Sequence, residues 1–158
     1  MQEPKWLQLE AVLAGHEQVM REHGGQGGLL KPAELDSALS RPKNIWAYSK
    51  ASLHELAAAY AKGITQNHPF NDGNKRASLM AAYTFLRING QKLTASESEA
   101  VHMTVGLASS EVSEEGYTRW LEANTVALKP AQDAQKVEKP EKRQSKRSDK
   151  KRDFGLGR

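Results

Sequence analysis

The stretch HPFNDGNKR, residues 68–76, lies near the middle of the 158-residue chain and is polar where its flanks are apolar. On each side, apolar residues recur at three- and four-residue spacings. This pattern predicts one helix that ends at Asn67 and another that begins at Asn74. The stretch is therefore predicted to be a loop between two helices.

Two more helices and an ambiguous segment precede this loop. Trp6 to His23 carries the apolar stripe of an amphipathic helix. A short helix is predicted from Pro32, a residue suited to a first helical position, and it is expected to stop at Arg41-Pro42. Residues 43–51 have no helical period and are interpreted as a loop or a small β-hairpin flap.

Capping signals mark the other helices. Ser52 and Glu55 form a capping box, which predicts the start of the helix that leads to the loop. Three further boundaries are predicted in the same way: a stop at Asn89-Gly90, a capped start at Ser96 and a start near Ser113. Because helical patterns fill the chain to Leu128, the fold class is predicted to be all-α, a compact helical bundle.

The two parts of the chain, residues 1–128 and residues 129–158, differ in net charge. Residues 1–128 carry 12 Lys/Arg and 14 Asp/Glu, whereas residues 129–158 carry 11 and 5, so a net −2 body precedes a +6 tail. We expect one domain over residues 1–128 and a disordered basic tail over residues 129–158, since the tail has too few apolar residues to form a core. Contact of this tail with nucleic acid or ribosomes is the less favoured interpretation.

Composition excludes several other classes of protein. The chain has no cysteine, so disulfides, thiolate metal sites and cysteine nucleophiles are ruled out. No export signal and no apolar run of membrane-spanning length is visible. A cytoplasmic protein with no membrane contact is the expectation.

The end of the polar stretch has the features of an anion site. Gly73 and Asn74 stand where the loop enters a helix, and the N–H groups and dipole of a helix N-terminus attract phosphate. Lys75 and Arg76 add positive charge in the first helical turn, where a bound anion would offset it. These four residues are the predicted phosphate-binding set.

The rest of the stretch supplies chemistry and anchoring. Asp72 is the predicted metal ligand, because Mg²⁺ is usually bound by one or two carboxylates together with substrate phosphate oxygens. His68 is the predicted catalytic base, since imidazole titrates near neutral pH and can take a proton from a hydroxyl. Phe70 is expected to anchor the loop in the core. Together these residues predict displacement at phosphorus.

The stretch resembles the signature HxFx(D/E)GN(G/K)R of the Fic/Doc family, and residues 28–48 are similar to the segment that precedes it in the Doc, or death-on-curing, branch. The resemblance covers roughly residues 5–125. It implies an all-α Fic/Doc-type domain in which His68 is the general base, Asp72 binds Mg²⁺ and residues 73–76 hold the phosphates of ATP or another nucleoside triphosphate.

Two positions indicate the branch within that family. Adenylylating members usually read GNGRxxR, but here Lys75 replaces the second glycine and Leu79 replaces the second arginine. The resemblance thus implies a type II toxin that phosphorylates a Ser/Thr hydroxyl of a protein, with a translation elongation factor as the associated target and an antitoxin as inhibitor. Transfer of AMP or another NMP is the enzymatic alternative. A catalytically silent protein- or nucleic-acid-binding module is the non-enzymatic one.

The other histidines are assigned no chemistry. His16, His23, His54 and His102 have no metal-ligand spacing to one another. Each is therefore interpreted as a residue of a helix surface or of the edge of the core.

Overall fold

A computed structural model describes residues 2–128, and within them six helices and one two-stranded sheet form an all-α architecture. The helices are α1 (Leu9–His23), α2 (Pro32–Ser49), α3 (Leu53–Asn67), α4 (Asn74–Ile88), α5 (Glu97–Ser109) and α6 (Glu114–Ala123), and the strands are β1 (Gln91–Leu93) and β2 (Thr125–Ala127). The predicted fold class is confirmed. Residues 129–158, for which a disordered tail is predicted, lie outside the described residues.

Helix α3 lies at the centre and packs against α2, α4, α5 and α6. Its residues 56–61 are all buried, and four of these six are alanine. Small side chains let neighbouring helix backbones approach closely. One close approach is at Gly63, where an added Cβ would lie 3.2 Å from the Cα of Ala38 on α2. This packing holds both ends of the α3–α4 connection in place.

Helix α2 is longer than predicted. It continues through Pro42 to Ser49, so both the stop at Arg41-Pro42 and the loop or hairpin at residues 43–51 are wrong. Pro42 removes one helical hydrogen bond. However, Leu39, Pro42 and Trp46 lie at helical spacing and are all buried, and this burial favours continuing the helix. Lys50, in the left-handed conformation, ends it.

The other helix predictions are confirmed, with small shifts at the ends. Helix α1 begins at Leu9 rather than at Trp6. Ser52 and Glu55 form the complete capping box before α3, and Ser96 and Ser113 each cap the following helix by accepting a backbone N–H. Local side-chain chemistry therefore predicted most of the helix boundaries correctly.

The two short strands were not predicted. β1 follows α4, β2 follows α6, and they pair antiparallel with Lys92 opposite Val126. Three residues are too few to show an alternating pattern in sequence. The pairing fastens the end of α6 to the end of α4. Within the described residues, no helix is long and apolar enough to cross a membrane.

A buried polar contact joins α5 to α6 on the side of the core formed by these helices. The hydroxyl of Tyr117 lies 2.9 Å from Oγ1 of Thr104, and that oxygen donates its own hydrogen to the carbonyl of Ala100 at 2.8 Å. The Tyr117 hydroxyl is therefore the donor in the pair. Burial disfavours the phenolate and raises the pKa of Tyr117 to about 12.

We expect the two ends of this contact to respond unequally to mutation. Thr104→Val leaves the buried Tyr117 hydroxyl without a partner and should lower the free energy of unfolding by about 1–3 kcal/mol. Tyr117→Phe leaves Thr104 bonded to Ala100 and should lower it by about 0.5–1.5 kcal/mol. Urea unfolding checks both variants. Equal losses, or a larger loss in Tyr117→Phe, would contradict the assigned donor.

Candidate active site

The motif loop, residues 68–73, connects α3 to α4. His68 ends α3 in the left-handed conformation, with φ 49° and ψ 56°, and its N–H donates to the carbonyl of Ile64 at 3.1 Å. This conformation is uncommon for a residue with a side chain and turns the chain sharply out of the helix. The His68 side chain is exposed, as a residue that acts on an external substrate must be.

Asn74, the first residue of α4, closes the motif loop with its side chain. Its Oδ1 accepts the N–H of Phe70 at 3.0 Å, and its Nδ2 donates to the carbonyl of Phe70 at 3.0 Å. Phe70 itself, the predicted anchor, is buried in the core. The Asn74 side-chain amide is thus occupied in holding the loop, so only its backbone N–H is available for the predicted phosphate contact.

The same amide also contacts the predicted base. Asn74 Nδ2 lies 3.2 Å from Nδ1 of His68. Since the amide nitrogen can only donate, Nδ1 accepts, and the neutral ring carries its hydrogen on Nε2. A proton can be taken up at Nε2 only after that hydrogen moves to Nδ1 and this contact opens.

A second segment supports the motif loop from outside. The N–H groups of Leu30 and Lys31 both donate to the carbonyl of Pro69, at 2.8 and 2.9 Å, and Asn71 N–H donates to the carbonyl of Gly28 at 3.2 Å. These bonds make a short antiparallel bridge between Leu29 and Phe70. The turn between α1 and α2 is therefore part of the site.

The first turn of α4 is positively charged. Gly73, at φ 77°, precedes the helix, and the first helical bond runs from Ala77 N–H to the Gly73 carbonyl, so the N–H groups of residues 74–76 lie ahead of it. Among the six described helices, α4 is the one without an acidic residue in its first turn. Exposed Lys75 and half-buried Arg76 add positive charge there. An anion is the natural complement.

Asp72 is placed to hold a cation beside that anion site. Its side chain is exposed, and Oδ1 accepts the N–H of Gly73 at 2.8 Å. A Cβ at Gly25 would lie 2.6 Å from Oδ2, so the absence of a side chain there keeps the carboxylate accessible. No group of three His, Cys, Asp or Glu side chains comes together among residues 2–128. One carboxylate with phosphate oxygens fits Mg²⁺, so the predicted ligand is chemically suitable.

His16 on α1 belongs to the site, although the sequence analysis gave it no role there. It is 3% exposed, its Nε2 lies 2.7 Å from the carbonyl oxygen of Asp72, and its ring stacks on Phe70 with centroids 3.7 Å apart. One signal was available in the sequence. His16 falls on the apolar stripe of α1, where a polar side chain needs a buried partner.

The fold and the site together define the class: an all-α domain whose two central helices are joined by a histidine-bearing loop that leads into a helix N-terminus without acidic residues. The model of the Fic/DOC family matches residues 6–86. The chain is 34% identical to "Protein kinase doc" of Escherichia phage P1 over 105 residues, which cover 66% of this chain and 82% of that protein.

A second relative supports the same family. The chain is 42% identical to "Toxin Doc" of Mycolicibacterium smegmatis over 76 residues, which cover 44% of this chain and 57% of that protein. The chain therefore belongs to the Fic/DOC family, and both relatives support its Doc branch.

We expect Asn74→Ala to destabilise the fold, because it removes both partners of the Phe70 backbone. The free energy of unfolding should fall by about 2–4 kcal/mol, as expected for two buried groups left unpaired. Lys75→Ala, at the next position but exposed, should change it by less than about 0.5 kcal/mol. Urea unfolding followed by circular dichroism compares the two. Equal stabilities would show that the amide does not hold the loop.

Proposed function

We propose that this protein is a nucleotide-dependent transferase that moves the terminal phosphate of ATP, or of another nucleoside triphosphate, to a Ser or Thr hydroxyl of a target protein. The observation that carries the proposal is the motif loop itself. It presents an exposed histidine at one end and an exposed carboxylate at the other, directly before a helix N-terminus without acidic residues. These groups suit phosphoryl transfer.

His68 is the proposed general base. It takes the proton of the attacking hydroxyl at Nε2, the hydroxyl oxygen forms a bond to the terminal phosphorus, and the bond from that phosphorus to the nucleoside diphosphate breaks. The neutral ring must first carry its hydrogen on Nδ1, away from the 3.2 Å contact with Asn74. A bound substrate hydroxyl would favour this tautomer by donating to Nε2.

The start of α4 is the proposed phosphate site. Backbone N–H groups of residues 74–76 and the charges of Lys75 and Arg76 hold the phosphates and stabilise the charge that develops during transfer, while the N–H of Gly73 donates to Asp72 Oδ1. Asp72 would hold Mg²⁺. When bound, that ion neutralises phosphate oxygens and orients them for displacement.

Leu79 supports phosphate transfer over AMP transfer. The motif GNGRxxR of the adenylylating branch has an arginine at this position, whose positive charge suits a phosphate. Here Leu79 is 3% exposed and packs within the core next to α3. The printed name of the phage relative, a protein kinase, agrees with this interpretation.

The biological setting of the proposal is a toxin-antitoxin pair. The second relative is named a toxin. By analogy, this protein would act in the cytoplasm on a translation factor, an elongation factor being the first candidate, and a separate antitoxin protein would inhibit it.

The transferred group can be tested directly with labelled nucleotide. Purified protein, Mg²⁺ and cell lysate are incubated with ATP labelled on either the γ- or the α-phosphate, and proteins are then analysed by autoradiography and mass spectrometry. We expect label from γ alone, on Ser or Thr, lost in His68→Ala and kept in His102→Ala, an exposed histidine on α5. Label from α would establish AMP transfer instead. No label from either would favour a binding module.

The metal and phosphate roles predict different kinetic changes. Asp72→Asn removes the carboxylate charge and should lower kcat/KM by about 10²-fold or more, with a loss that excess Mg²⁺ partly offsets. Lys75→Ala should also lower kcat/KM, without that Mg²⁺ dependence. Asp36→Asn, exposed on α2, serves as the control carboxylate. If kcat/KM depends on Mg²⁺ concentration in the same way in Asp72→Asn as in the wild-type protein, Asp72 is not the Mg²⁺ ligand.

A further inference from the structure

The contact between His16 and the motif loop joins residues 56 positions apart. Nε2 of His16 lies 2.7 Å from the carbonyl oxygen of Asp72. A carbonyl oxygen can only accept, so the imidazole donates. The bond is short and largely shielded from water, since His16 is 3% exposed.

The bonded carbonyl belongs to the peptide unit that also contains the N–H of Gly73. A trans peptide is planar, with its C=O and N–H directed to opposite sides, so a bond to one fixes the direction of the other. In this unit the N–H donates to Oδ1 of Asp72 at 2.8 Å. The imidazole thereby determines, through one rigid plane, where the carboxylate of Asp72 is held.

The imidazole cannot easily turn away from this peptide. Its ring stacks on buried Phe70 with an angle of 11° between the planes. Met20, one turn further along α1, lies against the same peptide, because a Cβ added at Gly73 would overlap its Cε and would lie 3.4 Å from Nε2 of His16. Helix α1 therefore holds the imidazole of His16 in a fixed position beside the peptide bond that precedes α4.

We propose that His16 is a positioning residue for Asp72, and that it raises the affinity of the site for Mg²⁺ with nucleotide. The inference rests on the proposed function, in which Asp72 holds Mg²⁺. Without the His16 donor, the Asp72–Gly73 peptide can rotate, the Gly73 N–H leaves Oδ1, and the carboxylate loses its fixed direction. Residues that orient a metal ligand typically change metal affinity by about 10- to 100-fold.

Three substitutions of His16 distinguish the effect of its hydrogen bond from the effect of its ring packing. His16→Phe keeps a flat ring against Phe70 but has no donor. His16→Gln loses the ring but places an amide nitrogen at the reach of Nε2. His16→Asn also loses the ring, and its shorter side chain holds the amide nitrogen too far back. Gln and Asn are therefore a matched pair with equal loss of stacking.

The test is isothermal titration calorimetry of ATP binding at a series of Mg²⁺ concentrations, with no transfer reaction involved. We expect the Mg²⁺ concentration for half-maximal ATP affinity to rise about 10-fold or more in His16→Phe and His16→Asn, and to stay within about 3-fold of wild type in His16→Gln. In an Asp72→Asn background, His16→Phe should add no further change. Tyr117→Phe, destabilised at the contact between α5 and α6, should bind Mg²⁺ and ATP as wild type does.

Other outcomes overturn the inference. If Gln and Asn weaken Mg²⁺ binding equally, or if His16→Phe leaves it unchanged, the histidine contributes packing and does not position Asp72. A comparable loss in Tyr117→Phe would attribute the effect to general stability. If the wild-type protein shows no Mg²⁺-dependent ATP binding at all, the proposed function fails together with the role of His16. If the wild-type protein does bind, the variants test the role of His16 alone.

Discussion

The site depends on the pair of hydrogen bonds between the Asn74 amide and the backbone of Phe70. One side chain satisfies both the N–H and the carbonyl of a buried residue, at 3.0 Å each. Without them the chain would bury two unpaired polar groups, which costs too much for a loop to tolerate. The bonds also fix the distance between the end of α3 and the start of α4. Burial of Phe70 and exposure of His68 and Asp72 then follow from the course of the loop.

Around this closed loop, three separate parts of the chain supply support. Helix α1 contributes His16 and Met20, and the turn after it contributes the backbone of residues 28–31. The buried helix α3 provides a rigid base. This arrangement leaves the loop little freedom to move and keeps its charged groups exposed. The proposed transfer reaction needs such order, because catalysis by charge works best when the groups are already in place before reaction.

The first turn of α4 differs in charge from the first turns of the other described helices. Each of the other five has an acidic residue in its first turn, which stabilises the positive end of the helix. Helix α4 has Lys75 and Arg76 there instead. The protein accepts a less stable helix start there, and in the proposed function a bound phosphate adds negative charge at that point. Local instability of this kind is typical of binding sites.

The sequence by itself determined the helices, most of their caps and the residues of the motif, because spacing and capping chemistry act over a few neighbouring positions. The sequence did not predict the features that depend on contacts between residues far apart in the chain. Helix α2 continues past Pro42 because burial against the core outweighs the lost hydrogen bond, and β1 and β2 exist only as partners of each other. His16 joins the site only when α1 packs under the loop, 56 residues away in the chain. Tertiary structure alone decided these features, since no local pattern records which surfaces will meet.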